Sequence, residues 1–359
     1  NDIALQLQVN SELADKAYSH IEKCEILKSS DESKEILVYW GIKESISLAS
    51  VVDVEQPDPA LPKIPSPILR DYNWPGFYKP FEHQKDTASF LSLRPRAFCF
   101  NEAGTGKTSA AIWAADYLMN LGLVKRVLVI CPLSIMHSAW QADIFKTAMH
   151  RTCGIAHGTA LKRQKVIESS YEFVVINFDG VHTVFDDIYK ANFDLIIVDE
   201  ANAYKTTSTR RWKTLAKLLR PETRLWMMTG TPAAQSPVDA FGLARLITPD
   251  RVPKYSGAWR DRVMNQISRF KWIPKSNATE QVHKALQPAI RFTKKDCLDL
   301  PEVVYQTRDI PLCAQTQKYY NALKKQLLIE AAGEQISAVN AAASLNKLLQ
   351  ISGGAVYTD

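Results

Sequence analysis

No run of apolar residues in this chain approaches the roughly 20 needed for a helix to cross a bilayer. Its start, Asn1-Asp2-Ile3-Ala4, lacks the basic cluster and apolar stretch of a secretory signal. Cysteine is sparse: Cys24, Cys99, Cys131, Cys153, Cys297 and Cys313 are scattered without a C-x-x-C pair. That spacing argues against a zinc site and a disulfide framework, and for a reducing, intracellular setting. Cys99 and Cys131 sit inside apolar runs, where cysteine serves as a small core residue. His83, His137, His157, His182 and His283 show no ligand spacing and read as structural or surface residues. Charge of one sign does not dominate either. The net +6, from 44 Lys plus Arg against 38 Asp plus Glu, is compatible with a polyanionic partner without requiring one. There is no internal repeat and no low-complexity tract.

What remains is ordinary globular composition, 46% hydrophobic and 23% charged over 359 residues, enough for two or three domains. Residues 1–55 read as a small α+β domain: an alternating strand at 3–9, a helix at 11–27 and a strand at 36–40. Pro57, Pro59, Pro62, Pro65 and Pro67 then crowd a stretch that can be neither helix nor central strand. We place a Pro-rich linker over residues 56–75. From 76 to 312 the pattern becomes short apolar runs alternating with helical segments. The strand candidates are 97–100, 126–130, 173–176, 195–198 and 225–228, near-continuously apolar, as strands buried on both faces are. Helices are expected at 108–120, 135–149, 181–189, 209–219 and 238–246. That alternation is the mark of an α/β fold, a parallel sheet wrapped by helices.

Within this part, residues 250–290 form a more basic, helical insertion carrying Trp259, Arg260, Arg262, Arg269, Lys271 and Trp272. It either touches duplex DNA as a protrusion or is a solvated helix with its tryptophans in the core. A further strand is expected at 303–312, and helices at 314–328 and 336–350 within a helical connector spanning 313–359.

Three strings carry chemistry. Asn101-Glu102-Ala103-Gly104-Thr105-Gly106-Lys107-Thr108 follows the first buried strand and opens a helix. Glycines let the backbone curl so that its N–H groups face a phosphate at a helix N-terminus. Lys107 then supplies charge to the β- and γ-phosphates of ATP, and Thr108 a hydroxyl ligand for Mg2+. The strict P-loop pattern has Gly where Asn101 stands. A glycine-rich turn capped by a lysine is the plainer alternative, and the strand-before, helix-after context weighs against it. Asp199-Glu200-Ala201-Asn202 ends the strand at 195–198. Asp199 there can hold magnesium and Glu200 can orient or deprotonate the attacking water. Thr229-Gly230-Thr231-Pro232 ends the next strand, where small hydroxyl residues can sense a γ-phosphate.

In that order and context, the strings resemble the Swi/Snf family of helicase-like ATPases in the second helicase superfamily. "NEAGTGKT", "DEAN" and "MTGTPAAQSPVDAFGLARLITP" resemble its motifs I, II and III, and "VLVICPLSIMHSAW" and "VVINFDGV" its motifs Ia and Ib. "KPFEHQ" is similar to the upstream segment whose Gln reads adenine. "IRFTKKDCLDLPEVVYQTRDIPLCAQTQKYY" is similar to the family's basic connector, and "LNKLLQISGG" to the helix leading into a second lobe.

The resemblance implies a RecA-like ATPase lobe in which Gln84 contacts adenine and Gly104, Thr105, Gly106, Lys107 and Thr108 hold the phosphates. Pro132, Leu133 and Ser134 would begin a helix whose N–H groups grip a DNA phosphate, with Asn177 acting on the same strand. Asn202 stands where the family has His, at a position thought to couple ATP state to DNA together with Thr229, Gly230 and Thr231. The resemblance ends before the family's second RecA-like lobe, whose arginine stabilises the transferring phosphate. The expectation is therefore half of a DNA-stimulated ATPase that translocates on double-stranded DNA by sequence-independent backbone contacts. The alternatives are a strand-separating or branch-migrating helicase, and an ATP- and DNA-binding switch with little hydrolysis of its own.

Overall fold

A computed structural model describes the chain apart from residues 1–2, 31, 56–63, 234, 270, 298–304, 333–337 and 355–359. By its internal contacts it divides into two compact units, residues 1–300 and 301–359.

The first unit opens with β1 (Ala4–Asn10), α1 (Ser11–His20), β2 (Cys24–Ser29), β3 (Ser33–Tyr39) and α2 (Ile42–Glu55). The three strands form an antiparallel sheet in the order β1-β3-β2. The Asn10 side chain accepts from Leu13 N at 2.7 Å and so starts α1. The helix expected over 11–27 stops at His20, because residues from Cys24 onward pair with β3, Cys24 opposite Val38. That pairing overrides the helical propensity of Glu25, Leu27 and Lys28. A small core of Leu13, Ala17, Ile36, Val38 and Leu48 fills this layer, and Ile64 and Leu93 complete it.

The proline-rich stretch at 56–63 lies outside the described residues. Beyond it, Ser66 N donates to Ser89 Oγ (2.9 Å) and Trp40 Nε1 to Pro65 O (2.9 Å), pinning the chain to its neighbours before the single turn α3 (Ile68–Asp71).

The α/β lobe follows: α4 (Glu82–Leu93), β4 (Arg96–Cys99), α5 (Lys107–Asn120), β5 (Val127–Cys131), α6 (Ala142–Thr147), β6 (Cys153–Ala156), α7 (Ala160–Glu168), β7 (Phe173–Asn177), α8 (Phe178–Val181), α9 (Phe185–Ala191), β8 (Leu195–Asp199), α10 (Arg210–Leu218), β9 (Arg224–Met228) and α11 (Ala240–Ile247). Next come α12 (Ser256–Val263), the hairpin β10 (Met264–Gln266) and β11 (Trp272–Pro274), α13 (Ala278–Ala285), β12 (Ala289–Ile290) and α14 (Lys294–Cys297). Seven of the described strands make one all-parallel sheet in the order β12-β4-β9-β8-β5-β7-β6.

Successive strand residues alternate between two cores. Val127, Val129, Phe173, Val175, Leu195 and Ile197 face α4, α5 and α6. Leu128, Ile130, Val174, Ile176, Ile196 and Val198 face α9, α10 and α11. With both faces covered, each strand must be apolar throughout, which is why these runs were legible.

Four further expectations need correction. The helix placed at 135–149 is a 3-10 turn (Leu133–Ile135), a π-helical turn (Met136–Gln141) and then α6. Its buried residues Met136, Trp140 and Ile144 recur every four positions, a spacing that an α-helix and a wider turn both satisfy. The segment at 181–189 is likewise broken, α8 and a 3-10 turn (His182–Val184) preceding α9. The insertion over 250–290 is not purely helical, since it contains the β10–β11 hairpin. Of the strand expected at 303–312, residues 303–304 lie outside the described residues and 305–312 adopt no strand. The second unit contains α15 (Ala314–Ala332) and α16 (Ala338–Ser352), which pack on one another.

Candidate nucleotide-binding and catalytic site

The loops after β4, β5, β7, β8 and β9 all leave the same, carboxyl edge of a parallel sheet, where open α/β folds bind their ligands. After β4 the backbone turns through Gly104 (φ 87°) and Gly106 (φ 74°), left-handed conformations that suit glycine, and Lys107 opens α5. A Cβ on Gly106 would collide with Gln84 Nε2. Glycine thus allows Gln84, on α4, to donate to Gly106 O (3.3 Å) while its Oε1 accepts from Phe81 N (2.9 Å). The structure therefore seats Gln84 directly on the phosphate loop.

Two loop anchors escaped the sequence reading. Asn101, at the position that departs from the P-loop pattern, is buried; its Nδ2 donates to Thr87 Oγ1 (2.8 Å) and its Oδ1 accepts from Phe292 N (3.0 Å). It therefore ties the loop to α4 on one side and to the chain after β12 on the other. His83, read as structural or surface, donates through Nε2 to Thr105 O (2.8 Å), with its ring beside those of Phe81 and Phe292. The chain after β12 runs along the loop as a strap. Phe100 N donates to Ile290 O (2.8 Å), Glu102 N to Phe292 O (3.0 Å) and Lys294 N to Glu102 Oε2 (3.0 Å). The only signal that marked this strap was its likeness to a family connector, because its partners lie about 190 residues away in sequence.

Asp199 ends β8 with its carboxylate almost wholly buried. Trp140 Nε1 donates to Oδ2 (3.0 Å) and Glu200 N to Oδ1 (3.0 Å). Burial pushes this carboxyl above its ordinary range, and the nearby Lys107 charge, the Trp140 indole and the Glu200 amide oppose that rise. Glu200 itself is exposed and holds a left-handed backbone (φ 54°, ψ 54°), a conformation costly for a non-glycine residue and typical of functional turns.

The loop after β9 closes over the same place. Thr229 is fully buried and its N donates to Cys99 O (3.0 Å). A Cβ on Gly230 would lie 3.4 Å from Ala103 N, so this turn packs against the phosphate loop. Asn202 Nδ2 donates to Thr231 O (2.7 Å) and lies 3.1 Å from Thr231 Oγ1, joining the loops after β8 and β9. The residue that departs from the family's His still makes a bridge.

The residues expected to touch DNA lie further along the same edge. Pro132 leaves β5, and Leu133 and Ser134 are exposed in the 3-10 turn, so the helix expected to start there begins as a 3-10 turn that runs into the π-helical one. Asn177 ends β7, and its Oδ1 accepts from Arg163 Nη1 (2.8 Å). Arg163, largely buried, also donates to Ala156 O and Gly158 O, fixing the end of β6 against that of β7. In the basic insertion, Trp259 is a core residue donating to Pro237 O (3.2 Å), while Arg260, exposed, lies over the Trp272 ring (4.3 Å).

A glycine-formed phosphate loop, a carboxylate beside its lysine and an αβ sheet of this order define a P-loop nucleotide-binding lobe. The family model "SNF2-related domain" matches residues 83–352, and the chain belongs to that family. Among curated relatives it is 29% identical over 275 residues to "Putative protein p41" of Acyrthosiphon pisum secondary endosymbiont phage 1, a match covering 71% of this chain and 59% of that protein. It is 23% identical over 301 residues to the chromatin-remodeling ATPase INO80 of Schizosaccharomyces pombe, covering 79% of this chain and 18% of that protein. The chain thus spans less than two thirds of the length of these relatives. Among solved structures, the Sulfolobus solfataricus SWI2/SNF2 ATPase core in complex with dsDNA shares the fold, with a TM-score of 0.53 and 20% identity over 77% of this chain and 59% of that one.

Proposed function

We propose that this chain is the first lobe of an ATP-dependent motor that translocates on double-stranded DNA. The observation that carries the reading is the meeting of Lys107, Asp199 and the Asn202–Thr231 bridge at one edge of one sheet. Nucleotide chemistry and its relay to neighbouring loops need that arrangement; a purely structural turn does not. The INO80 and Sulfolobus proteins are named as ATPases, and the latter was solved with dsDNA. Both support the reading by analogy.

In this mechanism the loop N–H groups from Gly104 to Thr108 cradle the phosphates of ATP, Lys107 neutralises charge on the β- and γ-oxygens, and Gln84 addresses the adenine. Mg2+ fits the donor set, since the Asp199 carboxylate and Thr108 hydroxyl are hard oxygen ligands beside the phosphate site. When bound, it neutralises charge on the β- and γ-phosphates. Glu200 orients the water and takes its proton as the water oxygen bonds to the γ-phosphorus and the bond to ADP breaks. The arginine that steadies the charge on the transferring phosphate is assigned to the second lobe that the family resemblance implies. Asn202, Thr229, Gly230 and Thr231 carry the γ-phosphate state between loops. Pro132, Leu133, Ser134 and Asn177 hold DNA phosphates, which gives sequence-independent, salt-sensitive binding. On this reading the protein works on DNA inside the cell.

ATP turnover without nucleic acid, with single strands and with duplex, beside Lys107→Ala, tests the reading. Duplex stimulation that Lys107→Ala abolishes is the expected result. Turnover indifferent to Lys107 removes the site assignment. Mg2+-dependent ATP binding without turnover, even with the second lobe restored, favours the switch, and displacement of an annealed strand favours the helicase.

A further inference from the structure

Trp140 is fully buried, on a turn that packs against β6 and β7, where an indole N–H must find an acceptor. Most buried indoles of this fold settle on backbone carbonyls: Trp113 on Pro75 O, Trp226 on Arg94 O, Trp259 on Pro237 O. Trp140 instead donates to a carboxylate, Asp199 Oδ2, at 3.0 Å and from 59 residues away in sequence. With Glu200 N on Oδ1, the two donors fix the plane of the carboxylate. The turn that carries Trp140, Met136–Gln141, is π-helical, an irregularity concentrated at functional sites. It continues directly from Leu133 and Ser134, which lie exposed at the sheet edge.

We propose that Trp140 is a positioning residue for the metal site. Its indole N–H holds the Asp199 carboxylate in the orientation that Mg2+ requires, and links that carboxylate to the exposed turn before it. This rests on the assignment of Asp199 to the metal. A displacement of Leu133–Ser134 by a DNA phosphate would reach Asp199 through the Met136–Gln141 turn and the Trp140 ring.

The test is Mg2+-dependent binding of a fluorescent ATP analogue to the full chain, comparing wild type, Trp140→Phe and Asp199→Asn, with EDTA as the metal-free arm. Outer-sphere partners of metal ligands typically contribute tenfold or more to metal affinity. Trp140→Phe is therefore expected to raise the Mg2+ midpoint on the order of tenfold while leaving metal-free nucleotide affinity unchanged, because the phosphate loop is untouched. A short duplex is expected to move the wild-type midpoint and not the variant's. Should Trp140→Phe fail to fold, benzothienylalanine at position 140, equal in shape and lacking only the N–H, makes the same comparison. A wild-type Mg2+ midpoint in either replacement overturns the positioning role, and a wild-type midpoint blind to duplex overturns the link to the turn. If Asp199→Asn keeps full Mg2+ dependence, the failure lies in the assignment of Asp199 itself.

Discussion

At the scale of single residues, Asn101 shows why a departure from a motif can be structural. Each arm of its amide meets a group on a different element: Thr87 Oγ1 on α4 and the Phe292 N–H of the strap. Asn101→Gly would restore the strict P-loop pattern, yet it would strand the Phe292 N–H in a partly buried place. Leaving such a donor unpaired costs about 1–3 kcal/mol. The variant is expected to unfold at lower denaturant concentration than wild type and to retain nucleotide binding. An unchanged midpoint would mean that water replaces the amide at no cost. The same contrast explains what the sequence could and could not tell. Lys107, Thr108, Asp199 and Glu200 could be proposed from the sequence because each stands in a short local string that follows an apolar strand. Asn101, His83 and the Arg163–Asn177 pair owe their roles to partners brought together only by the fold, and nothing local marks them.

At the scale of elements, legibility followed burial on two sides. Five central strands could be read because both faces of each are covered. Cys153-Gly154-Ile155-Ala156 was missed because β6 is a short, half-buried edge strand, and β12 is only two residues long. Helix α2 was passed over, and α1 was drawn too long because the pairing of β2 with β3 is a long-range choice. What holds neighbouring elements in place is equally non-local. Asp116, fully buried on α5, receives Tyr72 OH at 2.5 Å, His150 Nε2 at 2.8 Å and Arg151 Nε at 2.5 Å, and Arg151 continues to Glu172 Oε1 just before β7. One guanidinium thus ties α5 to the loop before β6 and to the loop before β7. Removing one member of a buried ion pair typically costs about 3–5 kcal/mol, because the other charge stays behind. Arg151→Ala is expected to fall near the lower end, since Tyr72 and His150 still face Asp116. Equilibrium denaturation measures it, and a loss below about 1 kcal/mol, the range of surface pairs, would show that the carboxylate is carried by those two residues alone.

At the scale of the first unit, the N-terminal layer and the ATPase-type lobe share a helix. Leu93, at the end of α4, belongs to the core of the β1–β3 layer together with Ile64. Ser66 and Ser92 hydroxyls meet at 2.7 Å, closing the seam. The other end of α4 carries His83 and Gln84, which hold the phosphate loop. A ligand that steadies this loop therefore steadies a helix whose far end is the floor of the N-terminal layer. Anything that binds only the folded state stabilises it by mass action, by about 2.7 kcal/mol at a hundred times the dissociation constant. If the layer and the lobe unfold as one, Mg2+ and a non-hydrolysable ATP analogue at that excess should slow amide exchange in β1 and β3 as much as in β8, on the order of a hundredfold for amides that exchange only by global opening. Hydrogen exchange read by mass spectrometry resolves these segments. Protection of β8 with no change in β1 and β3 would mean that the N-terminal layer opens by itself. Leu93→Ala separates the two cases again, because a common unfolding unit predicts faster exchange at both ends of α4 from a cavity made at one.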